Sequence, residues 1–226
     1  MKRVLLGCCL ALAFGSAHAS PVVFNFNTVL QTGFNYGTVA TLALTDLGNG
    51  QVGATMQHFG LNVIGTDPGR FISKLLLNVG DSSTNVGAIN LGLTDSNPVG
   101  RMSLAQVSKD SVNAPGGLRF DAEVDFANNP PRLSAGVTYT WTFTGNGLTA
   151  SLFDNGTPSS DVRALIHLQG LDPQLAGFTN NQTSLWLTAT NNPTVVGDPV
   201  PEPFTMGLVA AGALAAFRKA RRRAKV

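Results

Sequence analysis

Polar and apolar residues alternate with a period of two through several segments of the chain. From 118 to 126 every second residue is apolar, and the residues between them are Arg119, Asp121, Glu123 and Asp125. The same alternation runs through 51–58, 137–144 and 162–168. Because successive side chains of a strand point to opposite faces, this pattern predicts half-buried β-strands. Less regular strand candidates are 22–26, 38–45, 71–79, 86–93, 148–153 and 184–190.

Turn-forming residues separate these segments and predict how they connect. Gly145-Asn146-Gly147 predicts a tight hairpin between 137–144 and 148–153. The segment 96–115 has no clear period and is expected to be a crossover loop, or to hold a short helix around 104–109. About ten short strands with no convincing helix predict an all-β fold, a single antiparallel β-sandwich or jelly roll over residues 20–190. Residues 191–199, which are poor in apolar side chains, are expected to be a linker.

The N-terminus has the organisation of a secretory signal peptide. Lys2 and Arg3 precede an apolar run over 4–14, and the small residues Ala17 and Ala19 predict cleavage before Ser20. Sec export machinery and signal peptidase are then expected partners. An alternative is that Cys8 is a lipidated first residue, but most of the apolar run lies beyond it. Removal of residues 1–19 takes away both cysteines, so the exported product can form no disulfide.

The last 27 residues, 200–226, contain three blocks in a fixed order. An apolar run over 204–217 follows Pro201, Glu202 and Pro203, and a basic cluster ends the chain. As an α-helix the run would rise about 21 Å, against about 30 Å for a hydrocarbon core, so it is too short to span comfortably alone. The long cationic side chains that follow it can lie along the lipid and reach the phosphates. Positive charge after the span predicts that the bulk of the chain faces away from the cytoplasm. The basic cluster consists of Arg218, Lys219, Arg221, Arg222 and Arg223.

This tail resembles the PEP-CTERM sorting signal of Gram-negative bacteria. The resemblance assigns the sorting motif to Pro201, Glu202 and Pro203, the transmembrane anchor to 204–217 and the stop-transfer charge to the basic cluster. It implies that the partner is exosortase, a membrane-embedded transpeptidase that cleaves near the motif. It also implies a precursor held in the inner membrane facing the periplasm, then delivery to the cell surface or an exopolysaccharide biofilm matrix.

Charge excludes one class of function for the exported part. Between Ser20 and Val200 seven Lys and Arg residues face twelve Asp and Glu, a net charge of −5. A nucleic-acid-binding protein needs a basic face, so nucleic acid is not an expected partner. Surface polarity must come mainly from Thr, Asn, Ser, Gly and Gln.

Few residues suggest chemistry. Asp121, Glu123 and Asp125 share one strand face and are a weak Ca²⁺ candidate. An ordinary solvated face, paired with Arg119 or Arg132, explains them better. His58 is expected in the core and His167 on the surface, without a metal. The loop Gly80-Asp81-Ser82-Ser83 lacks the partner blocks of an esterase.

Trp141 and Tyr139 are expected in the core, which leaves Trp186 as the one plausible exposed aromatic residue. No catalytic residues, no enzyme activity and no cofactor are therefore predicted. The leading interpretation is an exported surface or matrix protein. A carbohydrate-binding module for exopolysaccharide and, third, a polysaccharide hydrolase or lyase remain open as alternatives, since paired carboxylates leave no spacing in a sequence.

Overall fold

The computed structural model describes residues 21–61, 69–97, 102–155, 161–171 and 183–189. The signal peptide with its cleavage residues Ala17, Ala19 and Ser20, the linker 191–199 and the sorting tail 200–226 lie outside the described residues. Within the described ranges, no helix has the length and apolar character needed to cross a bilayer.

Eleven strands make up most of the described chain, and most of the predicted strands are present. Their bounds are β1 Val22–Val29, β2 Asn35–Gly48, β3 Gln51–His58, β4 Phe71–Leu77, β5 Gly92–Asp95, β6 Met102–Asn113, β7 Arg119–Phe126, β8 Leu133–Ser134, β9 Thr138–Thr144, β10 Ala164–Gln169 and β11 Ser184–Ala189. One helical turn, α1 Val86–Ile89, and 3₁₀ turns at Pro115–Gly117 and Ala150–Phe153 complete the elements.

The strands form one antiparallel sheet in the order β5-β9-β3-β2-β1-β11-β10-β4-β7-β6, with β8 paired to β4. The two edge strands β5 and β6 approach each other, so the sheet curls into a nearly closed, barrel-like form. The predicted all-β antiparallel class is confirmed. One unbroken path of hydrogen-bonded neighbours joins the strands of this sheet, with β8 paired to β4 off that path.

The predicted hairpin at Gly145-Asn146-Gly147 is wrong. The turn residues bond to other loops, since Gly145 N–H donates to the Gly50 carbonyl at 2.8 Å and Asn146 N–H to the Ile89 carbonyl at 2.7 Å. The chain after β9 therefore does not fold back along it. Residues 148–153, predicted as a strand, contain the 3₁₀ turn Ala150–Phe153, which buries Phe153.

Two other local predictions also need correction. The segment 86–93 was expected to be a strand, but it is α1 followed by β5. The Asn85 side chain accepts the Ala88 N–H, and Asn90 ends the helix in a left-handed conformation. The segment 96–115 was expected to be a loop or helix, yet it holds the 12-residue strand β6.

A single core fills the curled sheet. Its largest fully buried side chains are aromatic, and Trp141, Phe143 and Phe153 contact each other edge to face or tilted. A smaller cluster packs apart from this core and consists of Leu76, Val112, Leu118, Phe120 and Leu165. Phe120 belongs to it although Ala122, two residues on, belongs to the main core, so β7 loses its alternation at Asp121.

The first and last described strands are antiparallel neighbours, with Phe26 opposite Ala189. The start of β1 and the end of β11 therefore lie at the same end of the sheet, which we call the terminal end. The described parts of the connections 30–34, 59–70, 96–101, 127–137 and 170–183 lie at the other end, which we call the distal end.

Candidate functional site

Asp121 is the most deeply buried carboxylate among the described residues, with 0% exposure. It accepts backbone N–H groups from Val79 at 2.9 Å and from Asp110 at 2.8 Å, and Lys109 Nζ lies 3.2 Å from it. Four residues, 108–111, lie between the β6 positions that pair with its two neighbours on β7. The carboxylate therefore holds an outward bulge of β6. The prediction that Asp121 lies on a solvated face is therefore wrong.

Glu123 and Asp125 form a second, separate group. Both contact Lys74 Nζ, the Asp125 contact at 3.2 Å, and Lys74 is also the register partner of Asp125. Burial lowers the pKa of Lys74, but its hydrogen bonds to Glu123 and Asp125 outweigh burial and leave the pKa raised. These partners differ from the predicted Arg119 and Arg132.

The three carboxylates of the weak Ca²⁺ candidate do not converge. Asp121 is saturated by backbone N–H groups and Lys109, whereas Glu123 and Asp125 turn to Lys74. Across the described ranges, no group of three or more His, Cys, Asp and Glu side chains could hold a metal ion. The arrangement gives the calcium hypothesis no support.

His167 stands in the same row of the outer face, between Trp186 of β11 and Lys74 of β4. Its ring stacks on that of Trp186, with centroids 4.4 Å apart and planes inclined by 18°. This separation is close to the spacing of neighbouring strands, so the two rings face each other across the sheet. One face of Trp186 is thus covered, which makes this residue a poor sugar-stacking platform.

Ser73 and Gln169 fix the tautomer of His167. Gln169 Nε2 lies 3.2 Å and Ser73 Oγ 2.9 Å from Nδ1. Because an amide nitrogen only donates, Nδ1 accepts and the ring proton is assigned to Nε2. Burial, together with the charge of Lys74, lowers the pKa of His167 to about 4, so the ring is neutral at pH 7.

A serine hydroxyl beside a neutral imidazole is the pairing of a nucleophile and its base, but the Ser73 hydroxyl also donates to the His167 carbonyl at 3.3 Å. Two features oppose that role. Ser73 is only 4% exposed, and the charged neighbour of His167 is a lysine, with no carboxylate in contact among the described residues. The group is a packed polar row, and it brings together no set of residues for acyl transfer.

His58 is buried, as predicted, with 0% exposure. Its Nδ1 lies 3.1 Å from the Leu133 carbonyl, to which it donates, and within the described part of the chain Nε2 has no partner. Burial lowers the pKa of His58, and nearby Arg70 adds to the effect. His58 is therefore a neutral core histidine below the distal end, with no second histidine beside it.

The distal end carries two exposed aromatic rings that sequence reasoning missed. Phe34 is 46% and Phe59 49% exposed, and Leu47, at the terminal end, is the third exposed large apolar side chain of the described residues. Phe34 packs edge to face on buried Tyr36, with centroids 4.7 Å apart. The Phe59 N–H donates to the Val39 carbonyl at 2.8 Å.

Both phenylalanines were missed because they lie outside the alternating segments. A phenylalanine in a connection has no periodicity from which to predict its exposure. By contrast, Tyr139 and Trp141 lie on the apolar face of the alternating strand β9 and are buried as predicted.

The loop Gly80-Asp81-Ser82-Ser83 is a closed turn, as the sequence indicated. The Asp81 carboxylate accepts hydrogen bonds from the Ser83 and Thr84 hydroxyls and from the Ser83 N–H, and these bonds lower its pKa. The Ser83 hydroxyl is thus used within its own turn. No histidine is recorded in a hydrogen bond to it among the described residues, which gives the nucleophile-block interpretation no support.

The fold defines a class: an antiparallel β-protein with one nearly closed sheet. Comparison with protein-family models, with curated proteins and with solved structures gave no match.

Proposed function

We propose that this chain is an exported surface or matrix protein that is sorted by its C-terminal tail and carries out no catalysis. A signal peptide over 1–19 would direct export, with cleavage between Ala19 and Ser20. The tail 200–226 would hold the precursor in the inner membrane until exosortase acts at Pro201, Glu202 and Pro203. An exopolysaccharide matrix is the proposed destination.

The observation that carries this proposal is the position of the chain ends. The first and last described strands lie side by side, and both the start of β1 and the end of β11 are at the terminal end. The ten residues 190–199 can span at most about 35 Å when extended. A domain tethered in this way would stand close to the bilayer with its distal end directed outward.

The contacts of the three β7 carboxylates support a non-catalytic role. Glu123 and Asp125 both bond to Lys74, and Asp121 is fully buried. A glycosidase needs two carboxyl groups that face a sugar, one of them as an acid. Within the described ranges these carboxylates are engaged elsewhere, which disfavours the hydrolase or lyase alternative.

Intact mass and cell fractionation of the native protein, with and without exosortase, test the sorting proposal. We expect a product that lacks residues 1–19 and everything beyond the Pro-Glu-Pro region in the exosortase-positive strain, and a membrane-bound, longer form without exosortase. Glu202→Ala should accumulate the longer form, whereas Pro193→Ala, outside the motif, should be processed normally. An unshortened C-terminus in both strains would defeat the proposal.

A further inference from the structure

We propose that Lys109 and Asp121 condense with each other to form an intramolecular amide bond. The ion pair of the structure is the unreacted form of these side chains, with Lys109 Nζ 3.2 Å from Asp121 Oδ2. Both residues lie within the described ranges, and their reaction needs no partner. This inference therefore does not depend on the proposed sorting.

Both reacting groups are held in place by hydrogen bonds. Lys109 Nζ donates to the Asp81 carbonyl at 3.0 Å and to the Asp121 carboxylate. Each oxygen of that carboxylate accepts a backbone N–H, Oδ1 from Asp110 at 2.8 Å and Oδ2 from Val79 at 2.9 Å. An ammonium and a carboxylate that are free in water do not condense, but reacting groups fixed in this way have effective concentrations of about 10⁵–10⁸ M.

Burial of the carboxylate favours the uncharged product. The Asp121 side chain is 0% exposed, and taking a charge out of water is costly even when the charge is paired. Condensation turns the ammonium and the carboxylate into a neutral amide, so it removes both charges from this site. The Lys109 side chain is 30% exposed, which leaves the released water a route to solvent.

The atoms and protons of the reaction balance within the pair. The ammonium passes one proton to Oδ2 across the 3.2 Å contact, which gives a free amine and a carboxylic acid. The lone pair of Nζ then attacks Cγ, and the Asp110 N–H stabilises the negative charge that develops on Oδ1. Nζ gives a second proton to Oδ2, the Cγ–Oδ2 bond breaks, Oδ1 becomes the amide carbonyl oxygen, and one water leaves. The hydrogen that remains on Nζ can still be donated to the Asp81 carbonyl.

The amide would join β6 to β7 at the bulge 108–111. Residues 20–226 contain no cysteine, so a disulfide cannot link these strands. A bond between residues 109 and 121 would keep the bulge attached to β7 even when the two strands separate locally.

Tryptic peptide mapping and the intact mass of the full chain test this inference. Trypsin does not cleave after an acylated lysine, so the reacted chain should yield 102–119 joined to 120–132, lighter by one water than the two peptides together. We expect this cross-linked species to be the main form, and fragmentation should place the link between Lys109 and Asp121. An unreacted chain would yield 102–109, 110–119 and 120–132 as separate peptides.

Lys109→Arg is the matched control, because a guanidinium keeps the positive charge of the ion pair but stays protonated and cannot attack. This variant should have its full mass and should release 120–132 as a separate peptide. Lys74 is a control within the wild type. Its Nζ also lies 3.2 Å from a carboxylate, that of Asp125, but this side chain is 42% exposed, so cleavage after Lys74 should be normal.

Cleavage after Lys109 in most of the denatured wild-type chains would overturn the inference. Loss of one water together with such cleavage would overturn it as well, because an aspartate that closes a cyclic imide on its own backbone loses the same mass. A loss of one water that persists in Lys109→Arg would have the same consequence.

Discussion

Replacement of Asp121 by alanine should destabilise the fold more than any other single carboxylate substitution on β7. The side chain is fully buried and joins three segments, through the N–H groups of Val79 and Asp110 and the ammonium of Lys109. Its removal leaves the buried Val79 N–H and the half-buried Asp110 N–H without an acceptor. It also leaves Lys109, whose side chain is 30% exposed, without its carboxylate.

The magnitude follows from these contacts. Each hydrogen bond to a charged acceptor contributes about 1.5–3 kcal/mol, and the loss of one partner from a buried ion pair costs about 3–5 kcal/mol. The terms share one side chain and do not add fully, so we expect Asp121→Ala to lower the free energy of unfolding by about 4 kcal/mol. Asp121→Asn keeps the shape and one acceptor oxygen, and should cost about 2 kcal/mol.

Urea unfolding followed by tryptophan fluorescence measures this change as a lower midpoint at unchanged slope. Asp125→Asn is the matched control, because Asp125 lies on the same strand with a side chain that is 42% exposed, and it should cost at most about 1 kcal/mol. Hydrogen exchange should speed up at the Val79 and Asp110 amides in the Asp121 variants. If Asp121→Ala costs no more than the control, the buried carboxylate does not hold the bulge of β6.

Two further predictions concern pH and a close backbone approach. The pKa of His167 is lowered to about 4, so its contribution to stability is present above pH 6.5 and is lost as the pH falls towards 4. The full shift corresponds to about 3 kcal/mol, which we discount to about 1–2 kcal/mol because the ring is partly exposed. His167→Gln should remove this contribution from the change in urea midpoint between pH 7 and pH 4.5. A Cβ on Gly50, at φ +71°, would lie 2.1 Å from the Gly145 carbonyl oxygen, so Gly50→Ala should cost more than about 2 kcal/mol in thermal unfolding. Gly33→Ala, at φ +69° with nothing within 4 Å, should cost only about 1 kcal/mol, and equal losses would contradict a clash at Gly50.

The period-two pattern predicted β3, β7, β9 and β10, and it predicted the buried face best in β3 and β9, where burial alternates along the whole strand. It failed in part in β7 and β10, which also bury Asp121 and Leu165 on the opposite face. β6 was missed because the extra residues 108–111 break its period. Alternation also says which face is buried without saying which strands pair, and so it could not distinguish one curled sheet from two packed ones.

The candidate site depended on contacts between distant segments. In the sequence, Asp121 alternates with apolar residues just as Glu123 and Asp125 do. Its burial depends on contacts with Val79, just after β4, and with Asp110 of β6. Trp186 looked exposed because its alternation is out of phase with Leu185 and Leu187, yet His167 of the neighbouring strand covers one face of its ring. Contacts between residues that are distant in the sequence cannot be predicted from the local pattern.

The pairing of β1 with β11 links the fold to the proposed sorting. When the first and last strands are antiparallel neighbours, the chain must enter and leave at one end of the sheet. A tether that follows Ala189 then leaves the connections at the other end free of the anchor. Under the proposed sorting, this one topological feature would separate the tethered end of the sheet from the end that faces away from the membrane.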